Sequence, residues 1–102
     1  MLHADDAVAN KLCALYGRGA VRDYIDVDGI VRSGRYTVAD LLQLATQHDP
    51  GFDPALFAQA LRAVRRFAAS AVEPYGMAPE EFAALTERVV GYTDQVRDSR
   101  PA

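Results

Sequence analysis

One cysteine, Cys13, and two histidines, His3 and His48, are all the chain has of the residues that most often staple small proteins or bind transition metals. A lone thiol cannot build an internal disulfide framework, and so few donors make no metal-ligand cluster. No apolar run approaches the roughly 18 residues needed to cross a bilayer. The N-terminus also lacks the charged-then-apolar pattern of a secretory signal. These absences set the expectation of a cytoplasmic protein with no membrane partner. No G-x-G-x-x-G or Walker loop occurs, so a phosphate cradle of recognised kind is missing, and Ser33, Ser70 and Ser99 sit in no nucleophile elbow. A net charge of −3 gives no general pull toward nucleic acid or anionic lipid. Lysine occurs once, as Lys11, against ten arginines.

What is present is ordinary globular composition: 102 residues, half hydrophobic and a quarter charged. That is enough for one domain with one modest core. Five segments carry helical periodicity. The first runs from about Asp5 to Tyr16, with Ala4, Val8, Leu12, Leu15 and Tyr16 on one face and Gly17 with Gly19 ending it. Lys11 borders that stripe, where its stem can lie on the core while its amine stays free. The second runs from about Val21 to Arg32. Val21, Tyr24, Ile25, Val27 and Val31 form its apolar arc, and Gly34 stops it. Arg22 and Asp26 are i,i+4 neighbours within pairing distance, and Gly29 beside them leaves the surface low. Asp28 falls inside the apolar arc and requires a partner if buried.

The third segment starts with Thr37 as N-cap and Asp40 in a capping-box position. It carries Val38, Leu41, Leu42 and Leu44 or Ala45, and stops near Asp49-Pro50-Gly51. The fourth begins at Asp53-Pro54, a cap followed by proline at the first helical position. Its stripe is Leu56 or Phe57, Ala60, Leu61, Val64 and Phe67. The fifth begins at Pro79-Glu80-Glu81, acids suited to a helix N-terminus, and continues through Phe82, Leu85, Val89 and Tyr92. No alternating pattern competes. The expected fold is all-α, a single-domain bundle of four to five short helices over residues 1–98 with a frayed tail at 99–102.

Asp26-Val27-Asp28 matches D-x-D, a magnesium-chelating pattern on a strand. On a helix, residues two apart point about 200° from one another, so these carboxylates cannot share an ion. Arg62, Arg65 and Arg66 form an i, i+3, i+4 basic patch, expected to be a solvated face rather than a nucleic-acid surface. Phe52, Phe57, Phe67 and Phe82 read as core, and Cys13 as a packed small residue. There remains Lys11 together with Arg18, Arg22, Asp23 and Asp26. Two antiparallel helices joined by a short Gly-rich turn can bring Lys11 close to Asp26 and Arg22. Cations beside a carboxylate suit a triphosphate; the same residues also suit a plain ion-pair network between helices.

The stretch Ala7-Val8-Ala9-Asn10-Lys11-Leu12-Cys13-Ala14-Leu15-Tyr16-Gly17-Arg18, followed by Val21-Arg22-Asp23-Tyr24-Ile25-Asp26-Val27, resembles the C-terminal motifs of AbiEii/AbiGii-type nucleotidyltransferase toxins. The resemblance implies that Lys11 and Asp26 are catalytic and that Arg18, Arg22 and Asp23 belong to the nucleotide site. It implies NTP and Mg²⁺ as cofactors, and a toxin–antitoxin or abortive-infection setting with tRNA as an acceptor for some members. The family's glycine loop and strand-borne metal-binding aspartates should precede Lys11, and ten residues do not hold them. The chain is therefore expected to be the C-terminal helical portion of such an enzyme, as a separate domain, a product of a misplaced start, or a remnant. It would be inactive and cofactor-free alone, with an N-terminal catalytic half or a cognate antitoxin as partner. The alternative is a free-standing helical interaction module with no nucleotide chemistry.

Overall fold

The computed structural model describes residues 4–98. Five α-helices follow one another: α1 (Ala4–Gly17), α2 (Val21–Arg32), α3 (Val38–His48), α4 (Pro54–Arg62) and α5 (Pro79–Asp98). Two 3₁₀ segments, Ala63–Arg66 and Ala69–Tyr75, lie between α4 and α5. No strand occurs among the described residues, so the all-α class holds, and the tail expected at 99–102 lies outside them.

Local chemistry sets most helix ends. At α3, Thr37 Oγ1 accepts the Asp40 N–H at 3.1 Å and Asp40 Oδ2 accepts the Thr37 N–H at 2.9 Å, the expected reciprocal cap. At α4, Asp53 Oδ1 accepts the Ala55 N–H at 2.8 Å ahead of Pro54. Between α1 and α2 the chain reverses through Gly19 at φ 62°. A Cβ there would lie 3.2 Å from an Arg66 guanidinium nitrogen and 3.4 Å from the Leu15 carbonyl oxygen. Both the left-handed backbone and the close approach therefore call for glycine.

α1 packs on α2, α3 and α4, while α5 closes the other side against α2, α3 and α4. The core between them holds Leu12, Leu15, Tyr24, Leu41, Leu61 and Val89, all essentially without solvent contact. Phe57, not Leu56, faces inward; Leu56 is about half exposed. Of the phenylalanines expected in the core, Phe52, Phe57 and Phe82 are buried and Phe67 is partly so. Tyr16, Phe52 and Phe57 stack in series, with ring centroids 4.7 and 5.3 Å apart.

The fourth helix is shorter than the sequence period suggests. It ends at Arg62, tightens into a 3₁₀ turn and gives way to extended backbone at Phe67. This narrower turn keeps Val64 fully buried and carries the Arg66 guanidinium to the Gly19 carbonyl. Arg66 also donates to the Tyr24 hydroxyl at 3.3 Å and lies 4.3 Å over the Phe67 ring. Arg62, Arg65 and Arg66 thus do not form one α-helical basic face. Tertiary contacts override the local period here.

Asp28, the polar intruder in the apolar arc of α2, is buried and fully partnered. Arg88 of α5 donates through Nε at 3.0 Å and through Nη2 at 2.9 Å, and the Tyr92 hydroxyl donates at 2.7 Å. Burial, then the adjoining Asp28 carboxylate, raises the Tyr92 phenol above its ordinary range. Removing one member of such a set leaves the others desolvated and unpaired, whereas replacing both charges with apolar groups can be close to neutral. Asp28→Ala is expected to lower unfolding free energy by about 3–5 kcal/mol. The double variant Asp28→Leu/Arg88→Met should recover most of that loss, as read by urea denaturation; equal losses for single and double variants would contradict a coupled pair.

Candidate functional site

The residues singled out by sequence lie on the α1–α2 hairpin. Because the chain reverses through three residues, positions a few turns back on α1 face positions a few turns along α2. Lys11 Nζ accordingly donates to Asp26 Oδ2 at 3.1 Å, across fifteen positions of chain. This pair sits on the rim, with side chains 46% and 32% exposed. Lys11 itself is exposed, next in sequence to the buried Leu12.

Nearer the turn, Arg18 grips Asp23 with two bonds, Nε to Oδ2 at 3.0 Å and Nη2 to Oδ1 at 2.5 Å. Asp23 Oδ2 also accepts the Ala20 N–H at 2.8 Å, which satisfies one of the orphan donors at the start of α2. The carboxylate is buried while Arg18 stays largely exposed. Its hydrogen bonds from Arg18 outweigh the opposing effect of burial and hold the Asp23 carboxyl below its usual range. Asp23 therefore ties the helix start to the preceding turn.

Arg22 behaves differently from the expectation of an i,i+4 pair. It is exposed and has no ion pair among the described residues, because Asp26 turns to Lys11 instead. The hairpin thus brings together Lys11 with Asp26 and Arg18 with Asp23, and leaves Arg22 outside both pairs. Beside Asp26 an open depression of about 690 Å³ runs past Val8, Ile25, Gly29, Ile30 and Tyr36. Gly29 lies in its wall, and a Cβ at that position would meet nothing within 4 Å.

Asp26 and Asp28 part company as helical geometry requires: one faces α1, the other α5. No group of three or more His, Cys, Asp or Glu side chains suited to a metal ion occurs among the described residues. Cys13 is half-buried, and burial followed by the charge of Asp49 raises its thiol pKa, the reverse of an activated nucleophile. His48 is exposed in the last turn of α3, and His3 lies outside the described residues.

Two polar networks escaped the sequence reading: Arg66 with Gly19 and Tyr24, and Arg88 with Tyr92 on Asp28. The second left a trace, since Asp28 inside an apolar arc demands donors, and Arg88 and Tyr92 are one helical turn apart. No helix among the described residues is long and apolar enough to cross a membrane. No family model, no curated protein and no solved structure matches the chain.

A carboxylate with a lowered folded-state pKa contributes stability above its unfolded value, near pH 4, and loses it as pH falls through the folded value. Asp23→Asn is expected to cost about 1–2 kcal/mol at neutral pH and to make stability less sensitive to acid below about pH 4. Urea melts at pH 7 and pH 3 read both effects; an unchanged acid limb would contradict the role given to Asp23.

Proposed function

We propose that the α1–α2 hairpin is the helical half of a nucleotidyl-transfer site of the toxin type its motifs resemble, incomplete without a catalytic half from another segment or chain. The observation that carries this reading is the Lys11–Asp26 contact. The motif lysine and the terminal aspartate of the R-D-x-x-D element meet at 3.1 Å on an accessible rim. Lys11 offers a phosphate oxygen a mobile point charge, and Asp26 holds that charge in place until a phosphate competes for it. Arg22, exposed and uncommitted on the same helix, supplies a further cation for the phosphate chain. Arg18 and Asp23 serve by fixing the hairpin turn.

The glycine loop and metal-binding aspartates implied by the resemblance are not among residues 4–98. Mg²⁺ does not fit the residues present: Asp28 is consumed by Arg88 and Tyr92, and Asp26 points away from it. No chemical step through a metal follows from this chain's own groups. The metal and the α-phosphate contacts would come with the other half.

One observation favours the second reading, a helical interaction module. Lys11 and Arg18 are each neutralised by a carboxylate, as in a network that merely joins two helices. The two readings separate in solution. Lys11→Ala removes an exposed pair and should change stability by no more than about 1 kcal/mol under either reading. Titrating the isotope-labelled chain with each NTP, with and without Mg²⁺, should shift amides around Lys11, Arg22 and Asp26, and Lys11→Ala should abolish those shifts. Their absence for every nucleotide would overturn the nucleotide reading in favour of the module.

A further inference from the structure

A second depression, of about 330 Å³, lies on the far side of Ile25 and Gly29, between α2 and α5. Its floor is apolar, built by Ile25, Met77 and Leu85. Its two cations are Arg88 and Arg32. The Arg88 guanidinium is fixed by Asp28, which is itself held by Tyr92. That grip uses Nε and Nη2 and leaves Nη1 with no hydrogen bond among the described groups. Arg88 is about one-third exposed and lines the depression. Arg32, one helical turn after Asp28, is exposed and has no ion pair among the described residues. It lines the same depression as Asp28 and Arg88. Glu81, on the opposite lip, turns its carboxylate to the Ala78 N–H at the start of α5.

We infer that this depression is a binding site for a compact organic anion, with a carboxylate or phosphate head and a small apolar body. The head would take the free edge of Arg88 and the guanidinium of Arg32, two planar donors suited to oxyanions. Arg88 is pre-organised by its buried partner, so little side-chain entropy is lost when it binds. The body would lie on Ile25, Met77 and Leu85. The volume sits at the small end of ligand pockets, which suits a compact guest. The site is separate from the Lys11–Asp26 rim and stands whether or not that rim binds NTP.

The test is a chemical-shift titration of the isotope-labelled chain with phenyl phosphate, benzoate, inorganic phosphate and benzylamine, each run on the native chain, on Arg32→Gln and on Gly29→Leu. The expected result is saturable shifts at Ile25, Gly29, Arg32 and Arg88 with phenyl phosphate or benzoate. Inorganic phosphate should give weaker shifts and benzylamine none. Arg32→Gln should weaken binding at least about fivefold, as loss of a charge-assisted hydrogen bond implies. Gly29→Leu, which adds bulk where nothing lies within 4 Å of a Cβ, should narrow the mouth and weaken it further. Thermal melts of both variants verify that they stay folded. Shifts that never saturate, that are equal with benzylamine, that persist undiminished in Arg32→Gln, or that centre on Lys11 and Asp26 would each overturn the proposal.

Discussion

A buried carboxylate governs this molecule. Asp28 lies in the apolar face of α2, and no such group stays in a protein interior without donors. Its three hydrogen bonds from Arg88 and Tyr92 clamp α2 to α5 and fix the rotation of α2 about its own axis. With Asp28 turned toward α5, helical geometry turns Asp26 toward α1, where it meets Lys11. Gly29 and Arg32 are left facing solvent. The rim pair, the depression beside it and the arginine-flanked depression on the other side all follow from how that one helix is rotated.

Two further restraints complete the hairpin. Asp23 ties the start of α2 to Arg18 and the Ala20 amide, and Arg66 reaches from the 3₁₀ segment to the Gly19 carbonyl and the Tyr24 hydroxyl. Tyr24 itself donates to the Ala60 carbonyl at 2.6 Å, so its wholly buried ring is anchored to α4 as well. The α1–α2 turn is therefore held from the outside by an exposed arginine and from the inside by a buried one-carboxylate cap. The hairpin is thus held by contacts to both of its ends and to α4.

Much of this was legible in the residues. The caps at Thr37 and Asp53, the stops at Gly17 with Gly19 and at Gly34, and the apolar stripes of α1, α2, α3 and α5 are short-range signals that the structure follows. The all-α class holds, but the count of four to five is slightly low: the described residues form five α-helices and two 3₁₀ segments that the apolar spacing does not announce. The stretch from Ala63 to Tyr75 failed because its course is set by contacts distant in sequence, chiefly Arg66 with Gly19, while its apolar spacing reads as more α-helix. At the candidate site, Lys11 and Asp26 were placed together by the short Gly-rich turn. Arg22 was assigned to Asp26 on helical spacing, but a lysine from the neighbouring helix takes the carboxylate instead. Local spacing shows which groups can meet; packing decides which of them do.

The rotation of α2 can be read directly by labelling carboxylates with a water-soluble carbodiimide and an amine, followed by mass spectrometry of the native and urea-unfolded chain. Asp26, on the rim, should label in the native protein. Asp23 and Asp28 should label only after unfolding. Native-state labelling of Asp28 as fast as that of Asp26 would mean that α2 is turned otherwise, and would contradict the structure built around it.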